Sequence, residues 1–147
     1  MYQQLSNYIS NRIEISENDL KTVFSFFSVL KVKRNEHLVS PGQISNKIYF
    51  VNKGCLRIYF LNEKGSEATR LFAFEDQFVT ALVSFVTEAK SLEFVQATES
   101  TTLLSINKSD FYNLLAIVPH WEKMYRHYLE YAYVTNTNRL MSFITSD

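Results

Sequence analysis

At 147 residues, 46% apolar and 20% charged, the chain suits one globular domain that buries roughly two-thirds of its unfolded surface. Fifteen Lys plus Arg balance fifteen Asp plus Glu, so it lacks the broad phosphate attraction on which nucleic-acid affinity rests. The lone Cys55 excludes an internal disulfide and a multi-cysteine metal site, and no apolar run nears the ~20 residues of a bilayer span.

The opening Met1-Tyr2-Gln3-Gln4 has neither the charge nor the apolar run of a signal peptide, so a cytoplasmic protein with no membrane partner is expected. Tyr2, Leu5, Tyr8 and Ile9 predict a short first helix. Leu20, Val23, Phe24, Phe27 and Leu30 predict a second, between Asp19 and Lys31, with Ser16 and Asp19 spaced as a capping box.

From Lys33 the apolar period changes to two. Pro41-Gly42, Asn52-Lys53-Gly54 and Asn62-Glu63-Lys64-Gly65 read as turns, and they place the three glycines twelve and eleven residues apart. That interval fits a run of short antiparallel strands. Leu56, Ile58 and Phe60 share one strand face, and Ile48 with Phe50 and Leu71 with Ala73 continue the alternation. Phe94–Ala97 and Thr101–Ile106 predict two more strands around a turn at Glu99-Ser100, with a helical turn within Val79–Val86 between the two strand sets.

Ser109 is the expected cap of a helix carrying Phe111, Leu114, Leu115 and Val118. Pro119 then fits the first position of a long helix. A 4-3 seam of Tyr125, Leu129, Ala132, Asn136, Leu140 and Phe143 is too long for a small barrel to cover, which predicts a homodimer through this helix. The division expected is helices over 1–31, a barrel over 32–107 and helices over 108–147, all in one domain.

This order resembles the effector domain of the Crp/Fnr transcription regulators, the cyclic-nucleotide-binding jelly roll. The resemblance is carried by Lys33-Arg34-Asn35-Glu36-His37-Leu38, by Pro41-Gly42 and by the hairpin Ile48-Tyr49-Phe50-Val51-Asn52-Lys53-Gly54-Cys55-Leu56-Arg57-Ile58-Tyr59. Gly65, Asp76 and Phe78 continue it into the ligand cassette. It implies a mainly β double-stranded β-helix, a long dimerisation helix and a small-molecule effector.

In cyclic-nucleotide binders of that family a Gly-Glu pair and a later Arg hold the ribose and the cyclic phosphate. Here Val79-Thr80 stand in place of Gly-Glu and Ser91, or a near neighbour, in place of the Arg, while Glu93 adds a negative charge. A missing charge-assisted contact of that kind costs ~2–5 kcal/mol when its partner is buried. No cofactor is therefore assigned, and cyclic AMP, the ligand the family implies, is disfavoured. The residues expected around a retained cavity are Phe72, Phe74, Val79, Thr80, Ala81, Ser91, Phe94, Thr135 and Asn136, with Phe85 close by.

Family members continue into a winged helix-turn-helix, so DNA contact is expected only through a domain this sequence lacks. The chain reads as a fragment of a longer regulator, or alternatively as a stand-alone module acting on a partner protein. No acid, base or metal constellation marks an enzyme. His120 and His127 are seven apart, not the four of a helical metal pair, and His37 has no second histidine nearby. Cys55 reads as a small buried hydrophobe, and Lys31, Lys33 and Arg34 as a solvated strand edge.

Overall fold

The computed structural model describes residues 1–145, excepting the side chains of Phe143 and Thr145. Its elements are α1 (Gln3–Ser10), α2 (Glu17–Ser25), β1 (Ser28–Val32), β2 (His37–Val39), β3 (Lys47–Lys53), β4 (Leu56–Leu61) and β5 (Glu67–Ala73). There follow β6 (Phe78–Val79), α3 (Leu82–Thr87), β7 (Phe94–Ala97), β8 (Thr101–Asn107), α4 (Lys108–Ile117) and α5 (Trp121–Thr145). Two antiparallel sheets, ordered β1-β8-β3-β6 and β2-β7-β4-β5, form the jelly roll that the glycine-paced turns predict.

Two cores divide the apolar residues. Val51, Leu56, Ile58, Val95 and Leu103 fill the space between the sheets. Ile48, Phe50, Leu104 and Ile106 leave the other face of the first sheet and pack under the helices with Leu5, Val23, Phe111 and Trp121. β3 and β8 are thus buried on both faces, which explains why apolar residues stand side by side in them, Ile48–Val51 and Leu103-Leu104, instead of alternating.

Three boundaries differ from the spacing-based expectation. α2 starts as predicted, with Ser16 Oγ accepting the Asp19 amide at 3.1 Å, but it ends at Ser25. Residues Ser28–Val32 pair with β8 instead of extending the helix, so β1 begins inside the segment expected to be helical. The helical spacing of Phe27 and Leu30 is coincidental, because short apolar runs fit either period and tertiary pairing decides. Asn107, not Ser109, caps α4, its Oδ1 accepting the Asp110 amide at 2.8 Å.

The third boundary is the root of the long helix. Pro119 lies in a turn before α5, in which the Trp121 amide donates to the Val118 carbonyl at 3.3 Å and His120 has φ +69°. This is the geometry of a type II turn, with a histidine where glycine is usual. The Pro41-Gly42 turn has the same form, with Gln43 N–H donating to the Ser40 carbonyl at 3.1 Å and Gly42 at φ +93°. α5 then runs 25 residues, a length of about 37 Å at ~1.5 Å per residue. Its base is anchored by the buried Trp121, Met124 and Tyr128.

Candidate functional site

β5 carries one residue more than its partner needs. Ile58 pairs with Leu71 and Tyr59 with Thr69, so Arg70 is a β-bulge with no opposite residue. A bulge bends the strand and re-aims the extra side chain. Here it brings the Arg70 guanidinium to Glu93, just before β7, and to Asn136 on α5. Nε and Nη2 donate to the two Glu93 carboxylate oxygens at 2.5 and 3.0 Å, while Nη1 donates to Asn136 Oδ1 at 2.5 Å. Arg70 and Glu93 are 21% and 19% exposed, so this two-bond fork is largely withdrawn from solvent.

Arg70 closes one end of a cleft between β5, β6, the start of α3 and α5. Phe72, Phe78, Val79, Tyr128, Tyr131 and Ala132 form most of its wall, with Thr80, Thr135 and Asn136 adding polar groups. The cavity volume is only ≈40 Å³, room for about three or four waters at the ~10–15 Å³ each requires. Beyond Arg70 and Asn136 lies a second apolar groove of ≈180 Å³ between Phe60, Ala68, Arg139 and Leu140.

The Tyr128 hydroxyl at the cleft is held neutral. Burial pushes the Tyr128 phenol far above its ordinary value, against the opposing pull of the nearby Arg70 charge and of a hydrogen bond to the Thr80 backbone. Tyr131 OH accepts from Gln77 Nε2 at 3.2 Å. The cleft therefore offers hydrogen bonds and aromatic surface but no net charge.

A larger polar recess of ≈440 Å³ lies between α1 and α5. Its charged groups are already engaged: the Arg12 guanidinium sits 3.5 Å from the centre of the Tyr8 ring, and Asp76 accepts from Gln4 at 2.6 Å.

The sequence-predicted residues divide. Phe72, Val79, Thr80, Thr135 and Asn136 come together at the cleft. Thr80 is also committed elsewhere, donating to the Lys47 carbonyl at 2.7 Å with Ser45 Oγ at 3.0 Å. Phe74, Ala81, Ser91 and Phe94 do not join them. Phe74 is exposed beside Phe72, and Ala81 lies in the core between the sheets. Ser91 is bound to the Glu93 backbone and stitched to the Pro41-Gly42 turn, its amide donating to the Gln43 carbonyl and its own carbonyl accepting from Gly42. Phe94 stacks on Tyr59 at 4.5 Å, with His37 Nε2 2.6 Å from the Tyr59 hydroxyl. Phe85 is in the core under the helices.

Three residues of the seam expected to meet a partner helix face this chain's own α4 and barrel instead. Tyr125 packs on Phe111 and its hydroxyl meets that of Tyr112 at 3.1 Å, and Ala132 and Asn136 line the cleft. Leu129 is half-buried, Leu140 is exposed, and the Phe143 side chain lies outside the described residues.

Arg70, Tyr128 and Tyr131 also line the cleft, and periodicity does not reveal them. The one available signal for Arg70 is a cation in the middle of a strand whose neighbours face a core. Among the described residues, no three His, Cys, Asp or Glu side chains converge as a metal site, and no helix is long and apolar enough to cross a membrane.

Comparison with known proteins agrees with this architecture. A family model described as the cyclic nucleotide-binding domain matches residues 29–117. No curated protein sequence matches significantly. Among solved structures, a cyclic nucleotide-binding domain from Methylobacillus flagellatus KT superposes with a TM-score of 0.83 at 12% identity, over 99% of this chain and 85% of that one. The sensor domain of the transcriptional regulator DNR from Pseudomonas aeruginosa gives 0.72 at 16% identity, over 99% and 92% of the two chains. The catabolite activator protein of Thermus thermophilus gives 0.72 at 16% identity, covering 88% of this chain and 60% of its own. This chain thus matches little more than half the length of that activator, and at such identities the likeness establishes the fold.

Proposed function

Because the chain belongs to the cyclic nucleotide-binding domain family, we propose that it is the sensory domain of a Crp/Fnr-type transcription regulator whose pocket no longer holds a cyclic nucleotide firmly. The observation that carries this reading is the pairing of Arg70 with Glu93. Among the described residues, the guanidinium that lines the cleft is that of Arg70, and its charge is already neutralised by a carboxylate in a shielded fork. A cyclic phosphate would have to displace that carboxylate and leave it uncompensated, while Val79, Thr80 and Ser91 supply no cation in its stead.

The working cycle is non-enzymatic. A ligand entering the cleft changes how α5 lies on β5, and α5, extending past the barrel, passes that change to a DNA-reading domain. Dimerisation through α5 is part of this proposal. Leu129, Tyr133, Leu140 and Ile144 fall on one side of the helix at four- and seven-residue intervals, and the last three are exposed.

Titration calorimetry with cyclic AMP and cyclic GMP tests the reading. No binding below millimolar concentration is expected, and submillimolar affinity for either would overturn it.

A further inference from the structure

The cleft and the neighbouring groove share two residues, Arg70 and Asn136. The bond between Nη1 and Oδ1 is a crossbar over what is otherwise one trough running between β5 and α5. A second tie lies one helical turn further along α5, where the Arg139 guanidinium donates to the Thr69 carbonyl. α5 is thus fastened to β5 at two consecutive residues, Thr69 and Arg70, one of which is the bulge.

What can open the crossbar follows from charge. Arg70 is compensated by Glu93 before any ligand arrives. An incoming anion has to evict Glu93 and strand a carboxylate that is mostly buried, and an incoming cation has to approach Arg70 or take its carboxylate away. An uncharged molecule requires only that Asn136 release one donor of Arg70. The trough walls are otherwise aromatic and aliphatic, with Phe60, Phe72, Tyr128 and Leu140 among them.

We infer that the trough takes an uncharged, mostly apolar ligand with a hydrogen-bond acceptor, which replaces Asn136 Oδ1 on Arg70 and releases the first of the two ties between α5 and β5, leaving the Arg139–Thr69 bond as the second. Glu93 is the specificity residue, because it keeps Arg70 a neutral-ligand donor and not an anion receptor. This rests on the sensory-domain reading above, with a cleft closed to cyclic nucleotides.

The test uses the full chain, with Nile red as a neutral probe and anilinonaphthalene sulfonate as an anionic one. Asn136→Ala leaves the Arg70–Glu93 pair intact while removing the crossbar. It is expected to bind Nile red at least five-fold more tightly than the parent chain and to exchange the amides of 133–140 at least ten-fold faster. Arg70→Gln also removes the crossbar and speeds the exchange, but it deletes the donor that the ligand needs, so it binds Nile red no more tightly than the parent chain. Glu93→Gln uncovers the guanidinium and raises affinity for the sulfonate relative to Nile red at least five-fold.

Unchanged Nile red affinity and unchanged exchange in Asn136→Ala, with native circular dichroism, would overturn the crossbar. An unchanged probe ratio in Glu93→Gln would overturn the role of Glu93. Submillimolar cyclic AMP binding to the parent chain strikes at the sensory-domain reading instead, and the exchange measurements on α5 distinguish the two failures.

Discussion

Gly54 lies directly against Thr101. A Cβ placed on Gly54 would stand 2.4 Å from Thr101 Oγ1 and 2.8 Å from the Ser100 carbonyl, and the residue has φ +105°. Two separate causes therefore require glycine at this turn, while at Gly65 only the second operates: φ is +77° and the space around it is open.

Gly54→Ala should cost roughly 2–5 kcal/mol, summing left-handed strain of ~1–2 kcal/mol with overpacking of ~1–3 kcal/mol. Gly65→Ala should cost about 1–2 kcal/mol, the strain alone. Urea denaturation of the two variants beside the parent chain gives the comparison, and equal losses would refute the steric part.

Asn107 is expected to hold the start of α4 through its bond to the Asp110 amide. Asn107→Ala should lower stability by about 1 kcal/mol, the usual worth of such a cap. Ser109→Ala should be near neutral, since Ser109 lies inside the first turn. The same denaturation experiment separates the two.

Alkaline pH should weaken the fold. Burial pushes the Tyr49 phenol up to about 12 from 10.0, and burial also raises Tyr125 and Tyr128. The native state then keeps protons that the unfolded chain releases above pH ~10, so this part of the stability is complete below that pH and falls between ~10 and 12. Tyr49→Phe should flatten the decline in that window. Thermal melts at pH 8 and pH 11, with phenolate absorbance followed in parallel, provide the check.

The exposed side of α5 should mediate self-association. Leu140→Asp, or Tyr133→Glu, should shift sedimentation from dimer to monomer while changing the melting temperature by no more than a degree or two, because both side chains are solvent-facing in the single chain. A parent chain that sediments only as monomer at high concentration would remove the dimer from the proposal.

Much of the barrel is legible before folding because its turns are chemically marked. Pro41-Gly42, Gly54 and Gly65 fix where strands reverse, and alternation between them assigns faces. The cores follow from the same pattern. The helix boundaries are harder: Phe27 and Leu30 satisfy a helical spacing and yet belong beside or within a strand, because pairing with β8 is a tertiary event. Likewise, nothing in Pro119-His120 announces a left-handed histidine.

The cleft is only half legible. Val79, Thr80, Thr135 and Asn136 can be placed near it by resemblance, but its charged centre depends on Arg70 leaving the regular pleat. A bulge is a mismatch between two strands, so neither strand's sequence alone contains it. The 4-3 seam of α5 had a related ambiguity. Apolar and small residues at Tyr125, Ala132 and Asn136 look the same whether they meet a second helix or the parent barrel.

The supernumerary residue in β5 also constrains how this protein can diverge. Shortening the strand by one would restore even pairing with β4 and would improve the sheet, yet it would turn the guanidinium away from the helix it fastens. Strand length, and not merely composition, consequently sets the aim of Arg70 in the 67–73 segment. The Asn62–Gly65 tip of the same hairpin lines neither the cleft nor the groove, so a change there leaves that aim unaffected.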